Sequence, residues 1–135
     1  MDDEIFKISK DKARANDLFT IAKERLEIID ILPRDKTYKI MEEYYEIILE
    51  LLTATMYLDG YKTLSHQAAL DYCSKNYKAL SSNQHNIIDS LRKFRHGIVY
   101  YGKKVSKDYL TNNEEEIIKI IKALSKLVEI KLKEE

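Results

Sequence analysis

Apolar residues recur at every third or fourth position along five stretches of this chain, a spacing typical of amphipathic α-helices. The first predicted helix spans about residues 10–30, with Ser9 as its N-cap. It ends before Pro33, because the residue preceding a proline resists the helical conformation. The second predicted helix spans about residues 35–59 and ends at Gly60. Both are long enough to form the framework of a helical domain.

Three further helices are predicted downstream of Gly60. They cover about residues 65–77, about residues 83–101, and a stretch that starts between Lys107 and Asn113 and runs almost to the end. No segment alternates apolar and polar residues as a half-buried strand does. The predicted fold class is therefore all-α, an up-and-down bundle of four to five helices.

The second predicted helix is apolar over more than half of its circumference. Its polar positions form a narrow strip: Glu42, Glu43, Glu46, Glu50 and Thr53. A helix with so wide an apolar face packs on several neighbours, so it is either the central helix of the bundle or part of an interface between subunits. We expect a homodimer, because a monomer of this size would struggle to cover the face alone.

Length and composition indicate a single helical globular domain over residues 1–135. Basic and acidic residues number 23 each, so net charge gives no argument for nucleic acid. The local distribution differs, since residues 91–107 contain no acidic residue but six cations: Arg92, Lys93, Arg95, Lys103, Lys104 and Lys107. This cluster predicts either a site for a phosphate-bearing ligand or a group of solvated side chains near a helix end.

The single cysteine, Cys73, excludes an internal disulfide and fits a reducing cytoplasmic compartment. No apolar run is long enough to span a membrane, and the acidic N-terminus has no signal-peptide pattern. We therefore expect a cytoplasmic protein that does not enter the membrane. His66, His85 and His96 show no metal-ligand spacing, so we expect neither a metal nor a cofactor, and His66 is assigned a capping or packing role.

The end of the fourth predicted helix places an arginine beside an apolar stripe. The stripe consists of Ile87, Leu91, Phe94, Ile98 and Tyr101. Arg95 lies at its edge, while Asp89, Arg92, His96 and Tyr100 share the neighbouring polar face. Because a buried charge is costly, Arg95 either extends its head to water along apolar surface or faces a functional cleft.

Three segments, in order and at matching separations, resemble one known family. They are Arg14-Ala-Asn-Asp-Leu-Phe in the first helix, residues 43–66 in the second helix and following loop, and Leu91-Arg-Lys-Phe-Arg-His-Gly-Ile-Val-Tyr-Tyr-Gly102 at the end of the fourth. Together they resemble the HEPN domain (higher eukaryotes and prokaryotes nucleotide-binding) of the small archaeal and bacterial kind. The resemblance covers most of the chain.

The resemblance implies a dimer whose signature helices line a shared cleft. Many HEPN proteins are metal-independent RNases that use an arginine followed, after four to six residues, by a histidine. Many are paired with a minimal nucleotidyltransferase as toxin and antitoxin, and in some the partner adenylylates a tyrosine near the motif. Here Arg95 matches the motif arginine, but Tyr100 stands five positions later, and His96 follows Arg92 after only three residues.

Three functional hypotheses follow from these residues. The first is a module that binds RNA or a nucleotide, or docks a nucleotidyltransferase, without cleavage; its candidate binding residues are Arg92, Arg95, Tyr100, Lys103 and Lys104. The second is an RNase that uses Arg92 or Arg95 for charge and His96 as the base. The third is a structural adaptor in which Arg95 only pairs with a carboxylate. Tyr100 and Tyr101 are the candidates for adenylylation.

Overall fold

The computed structural model describes residues 4–134 as five α-helices and one pair of short strands. The elements are β1 (Ile5–Lys7), α1 (Lys12–Ile31), α2 (Thr37–Asp59), β2 (Tyr61–Thr63), α3 (His66–Asn76), α4 (Ser82–Tyr101) and α5 (Lys107–Lys133). The predicted helical bundle is confirmed. The expectation of no strands was wrong, because β1 and β2 pair antiparallel with Ile5 opposite Thr63. Strands of three residues are too short to show an alternating pattern.

Serine and aspartate side chains fix the starts of most helices. Ser81 caps α4 and Ser65 caps α3, each accepting a hydrogen bond from a backbone N–H in the first turn. The cap of α1 is Asp11, whose carboxylate accepts from the backbone N–H of Arg14 at 2.9 Å. The prediction of Ser9 as this cap was therefore wrong, and α1 begins two residues later than predicted.

Gly60 ends α2 in the left-handed conformation, with a φ of 86°. A Cβ atom at this position would lie 3.0 Å from the carbonyl oxygen of Ile8, whose own N–H donates to the Gly60 carbonyl. Glycine is thus required both by the backbone conformation and by the close approach of the N-terminal segment. Gly102 ends α4 in the same conformation, with a φ of 60° and open space around it.

Helix α2 is the central helix of the bundle and packs against α1, α3, α4 and α5. Its most deeply buried side chains are Ile40, Met41, Ile47, Ile48, Leu51, Leu52 and Met56. The wide apolar face seen in the sequence is therefore covered within one chain. A second subunit is not needed to cover this face, so the width of the face no longer supports a dimer.

The glutamates of α2 face neighbouring helices rather than open water. Glu43 and Glu50 both pair with Arg25 of α1, at 3.0 and 2.7 Å. Glu46 pairs with Arg95 of α4 at 2.9 Å. Three of the five positions in the polar strip predicted on α2 therefore form interhelical ion pairs, and one of these pairs fixes the position of Arg95 relative to the core.

A second polar cluster joins the end of α2 to α3 and α5. The carboxylate of Asp59 accepts hydrogen bonds from the hydroxyls of Tyr72 and Tyr77 at 2.7 and 2.5 Å, and it pairs with Lys131 at 2.6 Å. Burial raises the pKa of Asp59, but the bonds from Lys131, Tyr77 and Tyr72 outweigh burial and leave the pKa below its usual value. The cluster therefore holds three elements together through one ionised carboxylate.

Candidate anion-binding cleft

The C-terminal half of α4 and the start of α3 meet beside α2 and line a cleft of about 300 Å³. Its lining consists of Arg92, Arg95, His96 and Tyr100 from α4, Tyr45 from α2, and residues 65–67 at the start of α3. We call this the α3–α4 cleft. It brings together the four residues of α4 that the sequence singled out as candidate binding or catalytic groups.

The guanidinium of Arg95 is hydrogen-bonded to the protein through one of its three nitrogens. Its Nε donates to Oε1 of Glu46 at 2.9 Å, and its guanidinium carbon lies 5.8 Å from the centre of the Tyr45 ring. In the described part of the chain, no acceptor is bonded to Nη1 or Nη2 of Arg95. Arg95 therefore pairs with a carboxylate on a neighbouring helix, as the adaptor hypothesis expects, and also lines a cleft, as the binding hypothesis expects.

Arg92 is held in a similar way by an acid on its own helix. Its Nε and Nη2 donate to Oδ1 of Asp89 at 3.2 and 2.9 Å, and Lys93 pairs with Oδ2 at 3.1 Å. The hydrogen bonds from Arg92 and Lys93 lower the pKa of Asp89 below its usual value. Asp89 therefore stays ionised at neutral pH and orients Arg92 along the wall of the cleft.

His66 belongs to this cleft, which the sequence analysis missed. Its Nδ1 lies 3.0 Å from the hydroxyl of Tyr45, and the two ring centres are 5.8 Å apart. Burial and the positive charge of Arg95 lower the pKa of His66, although Glu46 opposes the shift. Burial raises the pKa of Tyr45 to about 12, so its phenol is neutral at pH 7. The only feature of the sequence that could have singled out His66 is its position at the start of a predicted helix.

His96, Tyr100 and Tyr101 form the exposed rim at the end of α4. The ring of His96 lies 4.8 Å from that of Tyr100 and 5.8 Å from that of Tyr101. Tyr100 and Tyr101 are 68% and 69% exposed, so both hydroxyls are accessible to a modifying enzyme. Tyr100 lines the cleft. This rim offers flat aromatic surface beside the two arginines.

Lys103 and Lys104 lie outside the α3–α4 cleft. They line a second depression of about 460 Å³ together with Tyr38 at the start of α2 and Ile98 of α4. The Lys103 side chain also folds over Gly97, where an added Cβ would lie 3.3 Å from its Cδ. The structure thus separates the two lysines from Arg92, Arg95 and Tyr100, with which the sequence had grouped them.

Other reactive chemistry is scarce in the part of the chain that the structure describes. Cys73 is buried, and burial raises the pKa of its thiol to about 12, which makes it a poor nucleophile. Within residues 4–134, no group of three His, Cys, Asp or Glu side chains is placed to hold a metal ion. Over the same residues, no helix combines the length and apolar character needed to cross a membrane.

The charges of the cleft favour binding of an anion over nucleophilic chemistry. Two arginines, each oriented by one carboxylate, stand beside two histidines and two tyrosine hydroxyls. The arrangement can bind an anion through the free guanidinium nitrogens and stack a planar group on the rim. No protein-family model matches the sequence, and no curated protein matches it either.

Proposed function

We propose that this protein is a HEPN-like module that binds the phosphate of RNA or of a nucleotide in the α3–α4 cleft. The observation that carries the proposal is the state of Arg95, whose Nε is tied to Glu46 while its two terminal nitrogens lack a protein acceptor within residues 4–134. A guanidinium fixed in this way is pre-organised for a two-point hydrogen bond to a phosphate. Arg92 supplies a second cation on the same wall.

The size and rim of the cleft support a nucleotide as the ligand. A volume of about 300 Å³ lies at the lower end of the range for small-molecule sites, enough for a phosphate with its sugar. A base can then stack on the exposed rings of Tyr100 and His96. Stacking on aromatic side chains is a common way for proteins to hold single-stranded RNA.

The family resemblance adds a homodimer and a nucleotidyltransferase partner to the proposal. Support for a docking surface comes from the end of α4, where Val99, Tyr100 and Tyr101 are all more than half exposed. The same exposure makes Tyr100 and Tyr101 the candidate sites of adenylylation. A cytoplasmic location and a role in a toxin–antitoxin pair belong to this proposal. Sedimentation of the purified protein at micromolar concentration tests the dimer.

Cleavage of RNA is the second candidate function. Arg92, Arg95 and His96 line one cleft, so charge stabilisation and a base are available to the same phosphodiester. RNA incubated with the wild type, Arg95→Ala and His96→Ala proteins tests this activity. Equal cleavage by all three proteins would exclude Arg95 and His96 from catalysis.

The adaptor hypothesis is favoured by the Arg95–Glu46 ion pair, because such a pair alone can position α4 against α2. It does not account for the two terminal nitrogens of Arg95, which have no acceptor within residues 4–134 although the residue lines the cleft. Binding is therefore the function that the geometry supports best.

The test of binding compares two double variants with a fluorescently labelled single-stranded RNA. Arg92→Ala with Arg95→Ala removes the cleft cations, while Lys103→Ala with Lys104→Ala removes the same net charge from the separate depression. We expect the arginine variant to lose at least tenfold in affinity, about 1.4 kcal/mol, and to show a weaker salt dependence. Equal losses in both variants would show that binding depends on net charge and not on the cleft.

A further inference from the structure

His66 occupies a constrained position at the base of the α3–α4 cleft. It is the first residue of α3, and its Nδ1 is 3.0 Å from the hydroxyl of Tyr45. Tyr45 is only 2% exposed, so water has little access to its ring. The hydrogen bond between side chains of two different helices therefore fixes the orientation of the imidazole. Its other ring nitrogen, Nε2, has no partner among the described residues.

We propose that His66 contacts the phosphate that enters the α3–α4 cleft and takes up one proton when the phosphate binds. This inference rests on the proposed function, and it assigns a specific role to a residue that the sequence placed in packing or capping. Protonated imidazole donates from both ring nitrogens, so Nε2–H can bond a phosphate oxygen while Nδ1–H bonds the oxygen of Tyr45. The neutral ring can also bond a phosphate through Nε2–H while Nδ1 accepts from the Tyr45 hydroxyl, but only the protonated ring places a positive charge beside the phosphate.

The charges around His66 explain why the proton arrives with the ligand. Tyr45 and Glu46 face it from α2, and Arg92, Arg95, His96 and Tyr100 face it from α4, with Asp89 bound to Arg92. Burial, Arg95 and Arg92 all disfavour the imidazolium, and Glu46 opposes them. The N-terminal end of α3 disfavours a cation as well. A phosphate between His66 and Arg95 offsets the arginine charge and raises the pKa of His66.

His96 is the natural comparison because it lines the same cleft without this constraint. It is exposed on the rim and stacks against Tyr100 at a ring distance of 4.8 Å. No protein group in residues 4–134 forms a hydrogen bond to its ring. Its ring contacts aromatic side chains of its own helix and, among the described residues, is not joined by a hydrogen bond to another helix. The inference therefore predicts different responses from His66 and His96 to the same ligand.

The experiment uses the three histidines of the full-length protein as separate probes. The imidazole proton signals are followed by NMR between about pH 5.5 and 8, without and with a six-residue 2′-O-methyl oligouridylate. This ligand carries phosphodiesters that do not titrate in that range, and it lacks the 2′-hydroxyl needed for cleavage. We expect the ligand to raise the pKa of His66 by more than that of His96 and to leave His85 unchanged.

Affinity measured on the same oligonucleotide supplies the second readout. Uptake of one proton strengthens binding as pH falls, by at most about tenfold per pH unit. His66→Gln should remove most of this pH dependence and keep salt-sensitive binding through the arginines, while His96→Gln should keep the dependence. Glutamine can still bond Tyr45, and the wild-type NMR titration does not depend on the folding of any variant.

The failures of the two proposals are distinguishable. Absence of binding by the wild type at every pH would overturn the proposed function and this inference with it. Binding without a change in the His66 titration, or a pH dependence that persists in His66→Gln, would overturn the role of His66 alone.

Discussion

Replacing Glu46 with glutamine should strengthen binding of an anion in the α3–α4 cleft. Glu46 is the carboxylate that holds Nε of Arg95 at 2.9 Å, and its side chain is 28% exposed. Glutamine keeps an oxygen that can accept the bond from Nε, so the guanidinium stays in place. The substitution removes the negative charge that competes with an incoming phosphate for Arg95. Because orientation is kept, the main change is the loss of repulsion between Glu46 and the phosphate; the loss of the charge that favours protonation of His66 opposes it in part.

The size of that effect follows from Coulomb's law. A phosphate on the free edge of Arg95 would lie about 7 Å from the Glu46 carboxylate, on the opposite side of the guanidinium. At this separation the repulsion is about 0.6 kcal/mol with the dielectric constant of water and about 2.4 kcal/mol with the value typical of protein surfaces. Salt screening reduces it further. We expect a gain of about 1 kcal/mol, or about fivefold in Kd.

The assay is fluorescence anisotropy with a labelled RNA oligonucleotide at several salt concentrations. Glu115→Gln is the matched control, since Glu115 is exposed on α5 and this helix contributes no residue to the cleft. The control should change affinity by less than twofold. If Glu46→Gln leaves affinity unchanged or weakens it while Glu115→Gln behaves as expected, no anion binds at the free edge of Arg95.

Two further predictions concern stability. Asp59→Asn should cost about 3 kcal/mol of unfolding free energy at pH 7, because it leaves Lys131, whose side chain is only 13% exposed, without its charge partner. The folded pKa of Asp59 is depressed, so its contribution is present above the unfolded pKa of about 3.9 and is lost as pH falls through the folded pKa. Urea unfolding at pH 7 and pH 3 should therefore show a smaller difference between variant and wild type at pH 3, and an equal difference would contradict the argument. Gly60→Ala should lower stability more than Gly102→Ala in thermal unfolding. Both glycines have positive φ, at a cost of about 1 kcal/mol for alanine, but only Gly60 also meets a backbone oxygen at 3.0 Å.

Local signals in the sequence were enough to predict most of the helix ends. Gly60 and Gly102 both end helices in the left-handed conformation, which depends on the residue itself and its immediate neighbours. The serines that cap α3 and α4 accept hydrogen bonds from backbone N–H groups three residues later, so these caps also depend only on the local sequence. The choice between Ser9 and Asp11 as the cap of α1 depends on a tertiary contact. The backbone N–H of Asp11 donates a hydrogen bond to the carbonyl of Tyr57, which holds the N-terminal segment against α2.

The composition of the cleft depends on tertiary contacts that spacing along one helix does not encode. Arg95 was singled out because it broke the apolar pattern of its own helix, and that anomaly pointed to the correct wall of the cleft. Glu46 and His66 come from other helices, 49 and 29 residues away. Lys103 and Lys104 follow Gly102, where the chain turns away from α4, so closeness in sequence did not bring them into the same site.

The row of glutamates on α2 shows why Arg95 differs from an ordinary structural arginine. Arg25 also pairs with this row, and it meets two carboxylates, Glu43 through Nη1 and Glu50 through Nε. Its charge is more than balanced by these two carboxylates, and its Nη1 donates hydrogen bonds to Glu43, while its Nε pairs with Glu50 by charge without forming a hydrogen bond. Within residues 4–134, Arg95 pairs only with Glu46 and lines a cleft, and no protein acceptor is bonded to its two terminal nitrogens.

An arginine needed only to join two helices is better served by the arrangement around Arg25, where two carboxylates balance the charge of the guanidinium. The contrast makes a direct comparison informative. Arg25→Lys should lower stability without affecting RNA affinity, because lysine cannot bridge Glu43 and Glu50 as the guanidinium does. Arg95→Lys should lower RNA affinity without affecting stability. Lysine keeps the positive charge beside Glu46 but lacks the two free nitrogens of the guanidinium. If both variants change stability and neither changes affinity, Arg95 is a structural residue like Arg25.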